Sequence, residues 1–141
     1  MANAVTIRSY QSSDYDRVVR LWEDAFPDEP SYNDFAEVIA RKLRVQPDMF
    51  YVASISGSVV GTVLVGYDGV RGWVHKLAVA KSCRRMGIAT LLMQQAETGL
   101  RTLGCPKLNL QVRSSNSDVI GFYQALGYAV QDRASLGKPL L

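Results

Sequence analysis

Apolar positions along this 141-residue chain change their spacing in a regular order. Val5-Thr6-Ile7-Arg8 alternates as a first strand does. After Ser12-Ser13-Asp14, which supply N-cap side chains, Tyr15, Val18, Val19, Leu21 and Trp22 gather near one side of a 3.6-residue repeat and predict a helix to about Ala25. Pro27 and Pro30 interrupt it. A second helix begins at Ser31, carries Phe35, Val38, Ile39 and Leu43 at helical spacing, and ends by Pro47. Phe50–Ile55 and Val59–Tyr67 read as strands joined across Ser56-Gly57-Ser58, and Asp68-Gly69 turns the chain into a third run, Trp73–Val79. Ile88, Leu91, Leu92, Ala96, Leu100 and Leu103 then recur at three- and four-residue steps, as a long helix packed on a sheet requires. Gly104-Cys105-Pro106 closes that helix. Leu108–Val112 follows as a strand, and a short helix runs from Asn116 to Gly127. Tyr128–Gln131 and Ala134–Leu136 complete the pattern as strands. The order βααβββαβαββ predicts an α/β fold with a mixed central sheet flanked by helices, and the absence of repeats or long linkers predicts one domain over residues 1–141.

Composition narrows the class without naming a function. Apolar residues make up 48% and charged residues 21%, the balance of an ordinary globular protein. No apolar run approaches the roughly 20 residues that span a bilayer, and the first residues lack a signal-peptide pattern, so a cytoplasmic protein without membrane partners is expected. The net charge of +3 is mild and its basic residues are dispersed, which argues against nucleic acid as a partner. His75 is the sole histidine, and Cys83 and Cys105 form no cluster with it, so no metal is expected and both thiols should be reduced.

One exception to that dispersal lies between Val79 and the long helix. Lys81, Arg84 and Arg85 precede Gly87 in a basic turn that opens directly into Ile88-Ala89-Thr90. The first N–H groups of a helix have no intrahelical acceptor and carry partial positive charge from the macrodipole, so this turn predicts a phosphate cradle. Gly87 would let the backbone approach a ligand closely. The string G-x-x-x-x-G-K-[ST] does not occur, and a G-x-G-x-x-G fingerprint has only Gly87 available.

Arg84-x-x-Gly87-x-Ala89 resembles the [Q/R]-x-x-G-x-[G/A] acetyl-CoA signature of the GNAT acetyltransferases. Leu77-Ala78-Val79 before it resembles the L-x-V pair of that family's fourth strand. Asn116-x-x-Val119-x-x-Phe122-Tyr123-x-x-x-Gly127-Tyr128 resembles the family's second signature, with Val119 where alanine is usual. Gly66-Tyr67-Asp68-Gly69 and Ser135-Leu136-Gly137-Lys138 look more narrowly like a bacterial YpeA-type subgroup. The resemblance covers nearly the whole chain and implies the GNAT fold.

It also implies an activity: acetyl-CoA-dependent N-acetylation of a primary amine, on a small molecule or a protein, by direct attack in a ternary complex. By the same resemblance, the donor would be held by Leu77, Ala78, Val79, Arg84, Arg85, Met86, Gly87, Ile88, Ala89 and Thr90, with Asn116 on the pantetheine arm. Backbone N–H groups near Leu77 and Ala78 would hold the oxyanion, and Tyr123 stands at the position of the usual general acid. Relatives often carry a carboxylate on the fourth strand, where this chain has none. His75 is then the candidate base, since its ordinary pKa near 6.5 suits proton abstraction at neutral pH, and strict alternation would put it on one face with Trp73 and Leu77. Asp68 and Tyr67 are weaker candidates for touching the acceptor. The missing carboxylate keeps open a second reading, a CoA-binding regulatory module without turnover. Relatives often dimerise, which leaves a homodimer open.

Overall fold

The computed structural model describes residues 4–141. The chain divides into two compact units, one ending at Asn109 and one spanning Leu110–Leu141.

The first unit is built on a five-stranded sheet in the order β1-β2-β3-β4-β5. Its strands are β1 (Val5–Ser9), β2 (Phe50–Ile55), β3 (Ser58–Tyr67), β4 (Gly72–Val79) and β5 (Leu108–Asn109). The first three pairings are antiparallel and β4 with β5 is parallel, so the sheet is mixed. Three helices belong to this unit: α1 (Tyr15–Ala25), α2 (Phe35–Lys42) and α3 (Ile88–Thr102). β2 and β3 are joined by a two-residue turn in which Ser56 and Gly57 both have positive φ (50° and 81°), the twist that tight hairpins need. The described element order, βααβββαβα, follows the expected one up to α4 (Ser117–Ala125).

Helices cover both faces. Val18, Leu21 and Trp22 of α1 and Ile39 of α2 pack with Phe50, Val52, Leu64 and Ala78 on one face. On the other, a side chain built at Gly61 would meet Leu92 and Ile88 of α3, and one at Gly72 would come within 2.7 Å of Leu100. Because both faces are covered, β3 is almost continuously buried rather than alternating. Two carboxylates fix the backbone at the helix entries. Asp34 accepts from the Glu37 N–H (3.2 Å), and Asp14 accepts from the Gln11 N–H (2.8 Å) while Arg8 holds both its oxygens (2.8 and 2.9 Å). That hydrogen-bonded guanidinium keeps the Asp14 carboxyl below its ordinary pKa.

The structure departs from the sequence reading at several places. α2 begins at Phe35 and not at Ser31, because Ser31–Asn33 forms a separate 3₁₀ turn. α2 ends at Lys42, well before Pro47, which instead opens a single 3₁₀ turn. β5 stops at Asn109 rather than Val112, since β4 pairs with it only at Gly72↔Leu108 and Trp73↔Asn109. Tyr128–Gln131 and Ala134–Leu136 form no strands: Val130 and Leu136 are 73% and 91% exposed, and apolar residues that bury nothing give a strand no stabilising face.

A register shift in β4 decides which side chains of that strand share a face. Thr62 faces Ala78 and Leu64 faces His75, so β4 spends three residues where β3 spends two. The extra residue is a bulge at Lys76–Leu77, and Lys76 adopts φ +54°, an uncommon conformation for a residue with a side chain. The bulge rests on a buried relay. The Trp22 indole N–H donates to the Thr62 hydroxyl, and that hydroxyl donates to the Lys76 carbonyl, both at 2.8 Å. Thr62→Val keeps the shape but leaves the indole N–H and the carbonyl unpaired; a loss of about 1–3 kcal/mol is expected, measured as a lower urea midpoint with unchanged slope.

Candidate active site

β4 ends at Val79 and the chain passes through a 3₁₀ turn, Lys81–Cys83, into the basic loop. Arg84, Arg85, Met86 and Gly87 are exposed, Ala89 and Thr90 half-buried, and Ile88 anchors the segment as one of the core residues under α3. Arg85 and Gly87 both have positive φ (66° and 75°). A side chain added at Gly87 would meet no protein atom within 4 Å, and the left-handed backbone there by itself favours glycine. Gly87 is the N-cap of α3 and offers no side-chain cap. Its carbonyl takes the Leu91 N–H (3.1 Å), which leaves the N–H groups of Ile88, Ala89 and Thr90 without a helical acceptor. Left-handed residues leading into open helix N–H groups are the backbone arrangement of anion-binding concavities.

Leu77, Ala78 and Val79 run directly into this loop. Beyond Trp73, β4 has a ladder partner only on its β3 side among the described residues. The bulge also resets the alternation. His75 shares its face with Leu64, Thr62 and Ala78, the face of α1 and α2, and Leu77 falls on the opposite one. The expected grouping of His75 with Leu77 is therefore corrected, because a strand alternates strictly only while its register is unbroken. The His75 ring keeps access to solvent, yet desolvation by the protein packed around it, followed by repulsion from Lys76 and Lys42, lowers its pKa. It is thus predominantly neutral at pH 7.

Alternation also hides Lys76. Its side chain is only 10% exposed and its ammonium pairs with Glu29 at 2.8 Å, in the segment between α1 and α2. The same ammonium lies 4.6 Å from the centre of the Phe26 ring and 5.6 Å from that of Phe35, a cation–π arrangement. Asn33 donates to the other Glu29 oxygen (2.7 Å). Phe26, Glu29, Asn33, Asp34 and Phe35 contribute to a groove of about 250 Å³ on this side. From Leu21 to Ala40 the chain carries Glu23, Asp24, Asp28, Glu29, Asp34 and Glu37 and no basic residue, so this side is negative where the loop at Arg84 is positive. Neither Glu29 nor Lys76 belongs to a motif; the only sequence signal is an acidic stretch punctuated by prolines.

Asp68 is occupied as a turn residue. It accepts from the Val70 and Arg71 N–H groups (both 2.8 Å), and these bonds, Arg71 first, lower its pKa. The Tyr67 hydroxyl donates to the Gly69 carbonyl (3.3 Å) in the same turn. Cys83 and Cys105 are free thiols.

In the second unit, Asn116 caps α4 by accepting from the Val119 N–H (3.4 Å), and Tyr123 sits two turns on. Gly127 (φ 97°) closes the helix: its N–H reaches the Gln124 carbonyl and the Tyr128 N–H reaches that of Tyr123, both at 3.0 Å. This closure folds the Tyr128 ring back to 5.7 Å from that of Tyr123, while Phe122 packs edge-on at 5.1 Å. The signature spacing from Tyr123 to Gly127-Tyr128 is thus a helix stop that clamps one phenol. Burial pushes the Tyr123 pKa up to about 12.

Residues 14–128 match the acetyltransferase (GNAT) family, a stretch that contains β4, the basic loop and all of α4. The chain belongs to the GNAT family. An acetyltransferase of Yersinia enterocolitica is 44% identical over 96% of this chain and 95% of its own length. One of Pectobacterium atrosepticum is 42% identical with the same coverage, and an N-acetyltransferase of Yersinia pestis is 43% identical, again over 96% and 95%. Among solved structures, Ard1 from Thermoplasma volcanium superposes with a TM-score of 0.81 at 27% identity, covering 91% of this chain and 84% of that one. Aminoglycoside N-acetyltransferase AAC(6′)-Iy, solved with CoA, shares the fold with a TM-score of 0.79 at 18% identity, covering 100% and 98%. As a GNAT protein this chain is an N-acetyltransferase with a mixed α/β fold.

The Tyr123 shift has a signed consequence for stability. An unfolded phenol titrates near 10, so between about pH 10 and 12 the unfolded chain loses this proton before the folded one. Stability should be unaffected below that window and fall on entering it, by at most about 1.4 kcal/mol per pH unit. Urea unfolding of wild type and Tyr123→Phe from about pH 9 to 11.5 checks this. Tyr10, whose pKa burial also raises, contributes equally to both proteins, so the flatter profile expected of the variant isolates Tyr123.

Proposed function

We propose that this protein transfers the acetyl group of acetyl-CoA to a primary amine by direct attack, with no acyl-enzyme. The observation that carries the donor assignment is the basic loop with three open helix N–H groups, entered from a strand whose outer edge has no ladder partner beyond Trp73 among the described residues. Arg84 and Arg85 supply charge, the N–H groups of Gly87 to Thr90 hold the pyrophosphate, and the open edge of β4 receives the pantetheine arm, with Asn116 assisting. That CoA is held by the structural relative AAC(6′)-Iy supports the same ligand here. The acceptor enters on the α1–α2 side.

In this reading the reaction divides among four groups. The amine must lose a proton as it attacks, and neutral His75 accepts it directly or through a water. Backbone N–H groups of β4 near Leu77 and Ala78 stabilise the oxyanion. The new C–N bond forms, the C–S bond breaks, and the electron pair leaves on sulfur. Tyr123, at the family's general-acid position, attends that sulfur. Burial keeps its phenol protonated at neutral pH, so it can donate to the sulfur as the C–S bond breaks.

Acetyl-CoA at a hundredfold excess over Kd should raise the unfolding free energy by about 2.7 kcal/mol. No thermal shift at millimolar acetyl-CoA would refute the donor assignment, and binding without transfer to any amine of a broad panel would leave a binding module in its place. For the base, His75→Gln should lower kcat by about a hundredfold at pH 8. The wild-type to variant ratio should shrink towards one only in acid well below the ordinary imidazole range, where the wild-type ring, its pKa lowered by burial, becomes protonated. Taking the ratio cancels the acceptor's own titration, and a pH-independent ratio would remove His75 as the base.

A further inference from the structure

We infer that Lys76 and Glu29 form a positioning pair that holds the β4 bulge, and with it the neighbouring backbone N–H groups, in the geometry that polarises the acetyl carbonyl. This rests on the reading that β4 amides stabilise the oxyanion.

A left-handed residue bearing a side chain persists only where its surroundings over-determine it, and such residues gather at functional sites. Lys76 is held from two directions. Its carbonyl receives the Thr62 hydroxyl, which is itself fixed by Trp22. Its ammonium is drawn the other way, onto Glu29 at 2.8 Å and over the Phe26 and Phe35 rings. Leu77 follows it directly, so the bulge sets the direction of the β4 N–H groups that the mechanism uses there. Glu29 is in turn fixed by Asn33, within the groove on the acceptor side. The pair therefore ties the segment that meets the acceptor to the strand that meets the donor. Neither side chain needs to touch a reacting atom; both act through the backbone.

The test is infrared difference spectroscopy of the binary complex with acetyl-CoA carrying ¹³C at its carbonyl, together with steady-state kinetics. In wild type the bound carbonyl stretch should move to lower frequency than in free acetyl-CoA. Lys76→Met and Glu29→Gln should each lose most of that displacement and lower kcat at least about tenfold, with KM for acetyl-CoA changed by no more than about twofold. Lys76→Arg should restore both, and the double variant Lys76→Met/Glu29→Gln should be no slower than the worse single one. Glu29→Gln keeps the shape of the site and decides the matter if Lys76→Met does not fold. A folded Glu29→Gln protein with wild-type displacement and kcat overturns the inference while leaving the oxyanion reading intact. An undisplaced carbonyl in wild type overturns the oxyanion reading itself, before any variant is made.

Discussion

A single buried hydroxyl governs the geometry of this protein. Thr62 accepts the indole proton of Trp22 and donates its own to the Lys76 carbonyl, so one side chain connects helix α1, strand β3 and the irregular turn of backbone in β4. Trp22 and Thr62 are both fully buried. Polar groups cut off from bulk solvent need partners within the protein, which is why each must find the other. The extra residue in β4 follows from this arrangement. So does the reversal of side-chain facing along the strand, which turns His75 towards α1 and α2 and Leu77 away from them.

Electrostatics then separates the two halves of the chemistry. The loop after β4 collects arginines and open helix N–H groups, while the segment between α1 and α2 collects carboxylates and aromatic rings. A polyanionic donor and a cationic acceptor would be drawn to different places. Lys76, which reaches into the acidic side, is neutralised by Glu29 and so does not reverse its sign.

Most elements are legible in the sequence because their periods are clean. Phe50–Ile55 reads at its observed bounds, and α3 is visible from Ile88, Leu92, Ala96 and Leu100 lying on one stripe. The basic loop is legible because charge and glycine coincide at a strand-to-helix passage. What resists reading depends on pairing. A bulge leaves no trace in hydrophobic alternation, so alternation puts Leu77 on the wrong face and gives Lys76 no role. The strands expected after Gly127 rest on Tyr128, Val130 and Leu136, residues with suitable propensity; propensity without a partner strand does not make a sheet. Glu29 cannot be found from sequence at all, because its partner lies 47 residues away. The left-handed backbone at Gly87 is a further requirement for glycine that the sequence alone does not reveal.

The negative stretch from Leu21 to Ala40 carries a consequence for how a catalytic cycle ends. An amine arrives at neutral pH mostly as a cation, and its acetylated form is a neutral amide. Whatever attraction these carboxylates exert on the arriving acceptor disappears when the new bond forms. On the proposed reading the reaction switches off its own affinity: the field that gathers substrate does not retain product, and clearance of the site needs no separate moving part.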